Sequence, residues 1–433
     1  MKILKQELYF PIIIGIHLLF WAIDLYFFKG AFVEESSDTL LFGTYTNTSG
    51  INPNRIIGEI FSSWVVTVFA ANFLMATRAL WVEKLFGGLD KMYLIHRRSA
   101  IIAVCLLILH FVFVPRDLTE FNPGKPLGFY ALILILLGVI ISAAPFFKRK
   151  IPYNKWLNIH KLMGIFYVMA VMHGFMVFSL IKELPITRVY VFGMSIVGVL
   201  AWIYRAFLYN LFNKKLDYSI SNIKSLDKTT AELILKPANK VLNFAAGQFA
   251  FFTFPSISKR EQHPFTISSH PSAENLRLVI KGLGDYTNNI VDKLKVGDLA
   301  KVEGPFGHFT NRHINKTDQI WIAGGIGITP FLSLANDISH QNIKLYWSVA
   351  SQSEASNKDE LKTLAANNPN FEFIVWSSDD KGYLNADELG INDFNKYAYL
   401  ICGPEALKKS LTKQLRGKGV NKYDIYDEEF RFR

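Results

Sequence analysis

Cysteine is almost missing from this chain of 433 residues, which holds only Cys105 and Cys402. Two cysteines build neither a disulfide framework nor a cysteine-ligated metal cluster, and there is no Cys-x-x-Cys-His run to attach haem covalently. No set of spaced acidic ligands around a central glycine fits a calcium loop, which argues against calcium control within the chain. Charged residues are scarce too, at 19%, and residues 131–144 and 190–201 carry none. Uncharged runs of this kind rule out a purely water-soluble globule. The net charge is +11, but it is unevenly placed: 19 basic against 11 acidic residues up to 213, and 28 against 25 beyond it. The excess therefore borders apolar stretches, where cations set topology and meet lipid headgroups. A lipid bilayer, not nucleic acid, is the expected partner.

Six segments are apolar enough to cross a hydrocarbon core of about 30 Å, namely 8–28, 56–77, 93–114, 128–147, 157–180 and 187–209. The first is followed by no small-residue cleavage site and contains Asp24, so it reads as a retained helix and not a leader. Lys and Arg number 15 around one set of helix ends and 6 around the other. The richer set contains the N-terminus and the Lys148-Arg149-Lys150 turn, which places both, and everything after Lys214, on the cytoplasmic side of a plasma membrane.

Imidazoles are costly inside hydrocarbon, yet His96 and His110 share the third segment and His160 and His173 the fifth. Spacings of 14 and 13 residues correspond to rises of about 21 and 19.5 Å. Because these two segments run in the same direction, His96 can face His160 near the cytoplasm and His110 can face His173 near the outer surface. Facing neutral imidazoles are axial ligands for six-coordinate haem iron, so two b-type haems are expected. A separation of 13 residues turns the side chain about 140° off its starting face, so the fifth helix is expected either to twist or bend, with Gly164 the expected place, or to hold its haems at different azimuths. His17 stands alone on the first segment and reads as an internal polar contact.

Beyond Leu216 short β-type runs at 231–235, 249–254, 276–280 and 300–302 predict a small antiparallel barrel. From Gln319 strands alternate with helices, which predicts a parallel sheet covered on both faces. Three domains follow: 1–213, a six-helix transmembrane bundle; 214–316, an antiparallel β-barrel; and 317–433, an α/β domain. A glycine turn, Ala323-Gly324-Gly325-Ile326-Gly327-Ile328-Thr329-Pro330, follows a strand and opens a helix, where backbone amides can meet a phosphate.

The order of HPFTISS (263–269), GDYT (284–287), EGPFG (303–307), AGGIGITP (323–330) and CGPEAL (402–407) resembles the dehydrogenase domain of NADPH oxidases and ferric reductases, itself similar to ferredoxin-NADP reductases. The preceding helices, with His-x13-His and His-x12-His spacings, resemble the ferric-reductase-like membrane domain of that family. The resemblance implies FAD on the barrel and NADH or NADPH on the α/β domain. It implies that His263, Pro264, Phe265, Thr266 and Ser268 line the flavin, with the Thr266 hydroxyl near the nitrogen that receives hydride. Gly284 and Thr287 would hold the FAD pyrophosphate, and Gly324, Gly325, Gly327, Thr329 and Pro330 that of the nicotinamide dinucleotide. Cys402, Gly403 and Pro404 would lie beside the nicotinamide, and Phe432, or else Phe430, would stack on the flavin. Arg55 would sit near the outer haem and favour developing superoxide, the alternative being an interfacial arginine.

Two departures bear on the reaction. Where NADPH-preferring relatives place an arginine after the second strand, this chain has Ala350, leaving NADH a serious candidate with Lys358 as a substitute cation. Val114 stands where a further histidine is usual, one turn beyond the outer ligand, which weakens an oxygen assignment. The expected activity is transmembrane NAD(P)H oxidation with superoxide formed outside, or reduction of a ferric chelate or other acceptor by the same relay, without an obligatory protein subunit.

Overall fold

The computed structural model describes residues 9–27, 36–40, 43–47, 52–115 and 121–428. It divides into two compact units, Met1–Phe212 and Asn213–Arg433. The first unit runs α1 (Tyr9–Phe27), an antiparallel hairpin of β1 (Ser36–Leu40) and β2 (Gly43–Asn47), α2 (Pro53–Ala76), α3 (Leu80–Phe86), α4 (Leu89–Phe113), α5 (Gly124–Ala143), α6 (Pro145–Lys150), α7 (Tyr153–Lys161), α8 (Met163–Met176), α9 (Leu180–Glu183), α10 (Pro185–Ile203) and α11 (Tyr209–Phe212). Among the described residues five spans are long and apolar enough to cross a membrane: Pro53–Ala76, Leu89–Phe113, Gly124–Ala143, Lys155–Met176 and Pro185–Phe212. The first expected span corresponds to a shorter apolar helix, Pro11–Phe27. Its expected ends at 8 and 28 lie outside the described residues.

Helix ends buried in an apolar bundle must find acceptors for their free amides. Asn52 caps α2 by accepting from Asn54 N at 2.9 Å, with Pro53 preset at the first helical position. The start of α10 has no local cap, and Asp24 of α1 supplies it, accepting from Thr187 N at 2.6 Å and Ile186 N at 3.3 Å. Glu59 of α2 does the same for α9, taking Leu180 N and Ile181 N at 3.0 Å each and the Ser179 hydroxyl at 2.7 Å. Each buried carboxylate thus joins two helices by satisfying one helix's backbone. The shared core is Val65, Phe69, Ala103, Ile135, Met163 and Tyr167, drawn from α2, α4, α5 and α8.

The fifth span is interrupted at Leu162, between α7 and α8, two residues ahead of the expected Gly164. Leu162 N reaches Ile159 O at 3.0 Å and Ile165 N reaches Leu162 O at 2.9 Å, both three-residue steps. Such steps advance about 120° per residue against 100°, which closes part of the azimuthal gap between His160 and His173. Gly164 has another reason to be glycine: a Cβ there would stand 2.0 Å from Trp202 Nε1 on α10.

The second unit opens with an antiparallel sheet of β3 (Leu216–Ser225), β4 (Thr230–Pro237), β5 (Phe249–Thr253), β6 (His263–Thr266), β7 (Leu276–Lys281) and β8 (Leu299–Phe306), with α12 (Asp285–Lys293) after β7. Spatial order is β6-β5-β8-β3-β4-β7, and Tyr218, Leu233, Phe252 and Leu278 fill its core. A parallel sheet follows, built from β9 (Asp318–Gly324), α13 (Thr329–Leu334), β10 (Asn342–Val349), α14 (Lys358–Asn367), β11 (Phe371–Ser377), α15 (Ser378–Lys381), β12 (Ala398–Cys402), α16 (Glu405–Gly417) and β13 (Ile425–Asp427). Its order is β11-β10-β9-β12-β13. Apolar clusters cover both faces, one around Trp321 and Phe331 and the other around Tyr399 and Leu411. That is why its strands read as continuous apolar runs and not as alternating ones.

Candidate functional site

Two of the four histidines of the membrane unit come close together. His96 on α4 and His160 on α7 have ring centres 6.1 Å apart with planes at 71°. Two imidazoles bound through one nitrogen each to a shared metal, at about 2 Å per bond, have ring centres about 6 Å apart. In three of the four rings the second nitrogen is already engaged: His110 Nδ1 donates to Gly58 O at 2.9 Å, His173 Nδ1 to Gly124 O at 2.8 Å, and His160 Nδ1 lies 3.1 Å from Ser142 Oγ. A carbonyl can only accept, so His110 and His173 carry their proton on Nδ1 and present a bare Nε2 lone pair. This is the arrangement of a ligating imidazole oriented by its outer partner. Among the described residues His96 Nδ1 has no well-formed partner and is buried. The donor set and ring spacing therefore fit bis-imidazole iron.

Small residues let these rings sit against backbone. A Cβ on Gly128 would lie 2.4 Å from His173 Nδ1, and one on Gly58 would lie 2.5 Å from Val114 Cγ2. Val114 thus packs directly on α2 where the family pattern led one to look for a histidine. Arg55, one turn from Glu59, places its guanidinium 5.2 Å from the Phe178 ring centre. A cation over an aromatic face is worth about 0.5–1 kcal/mol when exposed and more when desolvated. His17 meets the internal-contact reading, its Nε2 lying 2.7 Å from the Ser63 hydroxyl.

In the antiparallel sheet, HPFT forms β6, and Thr266 pairs with Phe249 in register. His263 stacks on Tyr286 with ring centres 3.7 Å apart and planes at 13°. Burial holds the His263 imidazole below its ordinary value against the opposing pull of Glu261, 3.5 Å away. Burial likewise pushes the Tyr286 phenol up to about 12. Both rings are therefore neutral at physiological pH. Thr266 and Ser268 are buried, and the Ser268 hydroxyl has no hydrogen-bond partner among the described residues. Thr287 was expected to face a phosphate, but its oxygen accepts from Leu283 N at 2.8 Å and Gly284 N at 3.0 Å and donates to Gly284 O at 3.1 Å. A hydroxyl offers one donor and two lone pairs, so Thr287 is saturated and builds the turn. What the turn leaves for an anion is the amide end of α12, where Gly284 has open space around it.

The nucleotide motifs converge although 75 residues or more separate them in sequence. A Cβ on Gly327 would stand 2.3 Å from Cys402 O, and one on Gly324 would stand 2.6 Å from Leu407 Cδ2 and 2.8 Å from Pro404 Cδ. Gly403, with φ +154°, approaches within 2.9 Å of the Gly324 backbone by the same measure. Gly325 takes φ +52° with nothing nearby, and its carbonyl accepts from Trp347 Nε1 at 2.8 Å. Thr329 and Pro330 begin α13 in the buried interior. β9 neighbours β10 on one side and β12 on the other, so the chain's winding reverses between β9 and β12. Ligands of open α/β sheets bind in the crevice at such a reversal, outside the carboxyl ends of the strands. Cys402 ends β12 there, fully buried, and burial followed by the nearby Glu428 raises its thiol well above the ordinary range. It is an uncharged thiol and not a nucleophile.

Beside this crevice Gly325, Trp347, Lys281 and Glu354 line a shallow open recess. After β10, Ala350 offers only its carbonyl, which accepts from Asp379 N at 3.0 Å. Lys281 and Glu354 lie 3.5 Å apart. Phe430 and Phe432 lie outside the described residues. Sequence reading passed over Ser142, Trp156, Tyr286 and Arg277. Tyr286 lies inside the GDYT motif and Trp156 one turn before His160, whereas Ser142 and Arg277 owe their contacts to partners on other elements.

Residues 61–171 match the family described as ferric reductase like transmembrane component, 215–325 the FAD-binding domain family, and 321–413 the oxidoreductase NAD-binding domain family. The chain is similar to the toluate 1,2-dioxygenase electron transfer component of Pseudomonas putida, at 29% identity over 49% of this chain and 66% of that protein. It is similar to ferric reduction oxidase 7, chloroplastic, of Arabidopsis thaliana, at 27% over 50% of this chain and 30% of that one. It is also similar to a superoxide-generating NADPH oxidase heavy chain of Dictyostelium discoideum, at 25% over 49% of this chain and 32% of that one. In each case the matched region spans less than two thirds of the relative's length. Family models for a ferric-reductase-like membrane component, an FAD-binding domain and an NAD-binding domain match successive parts of one polypeptide, and together with the ferric reduction oxidase and NADPH oxidase relatives they support membership of the NADPH oxidase and ferric reductase family.

Proposed function

We propose that this chain is a transmembrane NAD(P)H oxidase that takes hydride from nicotinamide on the cytoplasmic face of the plasma membrane and delivers electrons to dioxygen on the other side as superoxide. What carries the reading is the set of histidines at two levels of one helical bundle, with the Nδ1 of three of them engaged, in the same polypeptide as a glycine-lined nucleotide crevice. When bound, FAD and two b haems supply the conversion of a two-electron hydride donor into single-electron transfer.

The protein's own groups orient and insulate that chemistry. His96 with His160 would hold the inner haem, and His110 with His173 the outer one. Gly324, Gly325 and Gly327 admit the dinucleotide's phosphates to bare backbone, and Gly403 leaves room for the nicotinamide beside Cys402. Thr266 offers a buried hydroxyl to the flavin edge, and Ser268 an unpaired one. Arg55 places positive charge at the outer end of α2, where an anionic product would form.

Reduction of a ferric chelate or another acceptor is the second reading, and a specific contact favours it: Val114 against Gly58 leaves no imidazole beyond the outer pair. Cytochrome c reduction by the purified chain with FAD, with and without superoxide dismutase, separates the two. Signal abolished by the dismutase supports the oxidase; persisting signal supports the reductase. His173→Ala is expected to lose the outer haem and acceptor reduction while flavin reduction survives. Loss of flavin reduction as well contradicts the relay order.

A further inference from the structure

Ser142 lies half-buried in the last turn of α5, at the end of an apolar run. Its Oγ makes contacts in three directions: Gly138 O at 2.8 Å, His160 Nδ1 at 3.1 Å and Trp156 Nε1 at 3.2 Å. A serine hydroxyl has one proton and two lone pairs. The proton goes to the Gly138 carbonyl, which can only accept. Trp156 can only donate, and so occupies one lone pair. The remaining lone pair faces His160, so the proton of that contact must come from Nδ1. This assigns the tautomer of His160 and leaves Nε2 as its bare nitrogen. Trp156, one turn before His160 on α7, also stacks on the imidazole, with centres 5.1 Å apart and planes at 21°. Ring rotation is therefore blocked by the hydrogen bond in the plane and by the indole across its face.

The outer pair is held differently. His110 and His173 donate to the backbone carbonyls of Gly58 and Gly124. Carbonyls are stronger acceptors than a hydroxyl already shared with a second donor, and a stronger acceptor makes the ligating imidazole more electron-rich. The two levels of the bundle thus differ in their supporting groups, and the inner one depends on a side chain.

We propose that Ser142 is a positioning residue for the inner haem: it fixes the tautomer and ring plane of His160 and, with Trp156, sets the properties of the inner iron apart from the outer. This rests on the haem reading above. Removing the hydroxyl takes away the acceptor, leaves the imidazole a poorer donor to iron, and so raises the reduction midpoint of the inner couple alone.

The test compares full-length wild type with Ser142→Ala, Ser142→Thr and Trp156→Phe, reading haem content by pyridine haemochrome, low-spin resonance spectra and a potentiometric titration. Ser142→Ala is expected to raise one of two midpoints, alter one of two low-spin signals and weaken retention of one haem against an apoprotein acceptor by about tenfold. Ser142→Thr, which keeps the hydroxyl, is expected to restore wild-type behaviour. Should Ser142→Ala fail to fold, Trp156→Phe is expected to alter the same low-spin signal through loss of the stacked indole. Two unchanged signals and midpoints in the folded variants overturn the assignment while the haem reading stands. Wild type with no bis-imidazole haem overturns that reading, and this assignment with it.

Discussion

Arg277 and Glu360, 83 residues apart, meet in a two-pronged ion pair, Nη1 to Oε1 and Nη2 to Oε2 at 2.8 Å each. The pair ties β7 of the antiparallel sheet to α14 of the parallel sheet, and Arg277 Nε adds Glu232 of β4 at 2.7 Å. Burial works against the guanidinium's charge, but Glu360 and Glu232 outweigh it and hold its proton more firmly than usual. Nearby the Ser333 hydroxyl donates to Ser269 O at 2.6 Å, joining the same two lobes. These contacts hold the flavin motif and the nucleotide crevice in one unit.

Removing one member of a buried pair leaves the other uncompensated and costs about 3–5 kcal/mol, less where solvent screens it. With side-chain exposures of 17% for Arg277 and 33% for Glu360, the Arg277→Met variant is expected to lose about 2 kcal/mol. Thermal unfolding of the full chain measures this. An unchanged melting temperature would show that the contact adds nothing.

The approach of Gly327 to Cys402 O leaves no room for a methyl group. Gly327→Ala is expected to cost about 1–3 kcal/mol by overpacking and to abolish flavin reduction by nicotinamide. Gly284→Ala, where nothing lies within 4 Å, serves as the tolerated counterpart for folding. Equal losses of melting temperature in both variants contradict the packing argument.

His263 titrates below its ordinary value in the folded protein because of burial. A depressed base binds its proton more readily when unfolded, so its stabilising contribution is full above the unfolded value of about 6.5 and is lost as pH falls below it. Unfolding measured between pH 7.5 and 5.5 is expected to show a smaller pH dependence in His263→Asn than in wild type. Identical slopes would place the titration elsewhere.

Ala350 supplies no cation for a 2′-phosphate, and Lys281 near the crevice is countered by Glu354. We expect NADH and NADPH to differ by less than about tenfold in kcat/KM, or about 1.4 kcal/mol. Steady-state rates with both donors decide the matter. A hundredfold preference for NADPH would mean that Lys358 or another base grips the phosphate.

Much of the architecture was legible along the chain because it is written in local spacing. Uncharged runs mark the spans, histidines 14 and 13 residues apart mark two levels, and glycines at a strand end mark the nucleotide crevice. Each of these patterns needs only a few consecutive turns of backbone to express itself. The interruption of the fifth span was legible in the same way, as an azimuthal mismatch, although its place was not. Leu162 carries the break, while Gly164 packs against Trp202, a neighbour 38 positions away that no local pattern announces.

What tertiary structure alone decided is where lone polar groups in apolar surroundings find partners. Asp24 looked like a charge interrupting a span and became the cap of α10; Glu59 became the cap of α9. The Thr287 hydroxyl, expected at a phosphate, makes its hydrogen bonds within its own turn. Ser142 was one hydroxyl among many until α5 and α7 brought it against His160, and Arg277 one cation among many until α14 packed on β7. Hydrophobic burial places helices and strands through summed area, which a sequence displays as periodicity. A hydrogen bond is made between two particular atoms within about 3 Å, and which atoms come that close is settled only when the elements have packed.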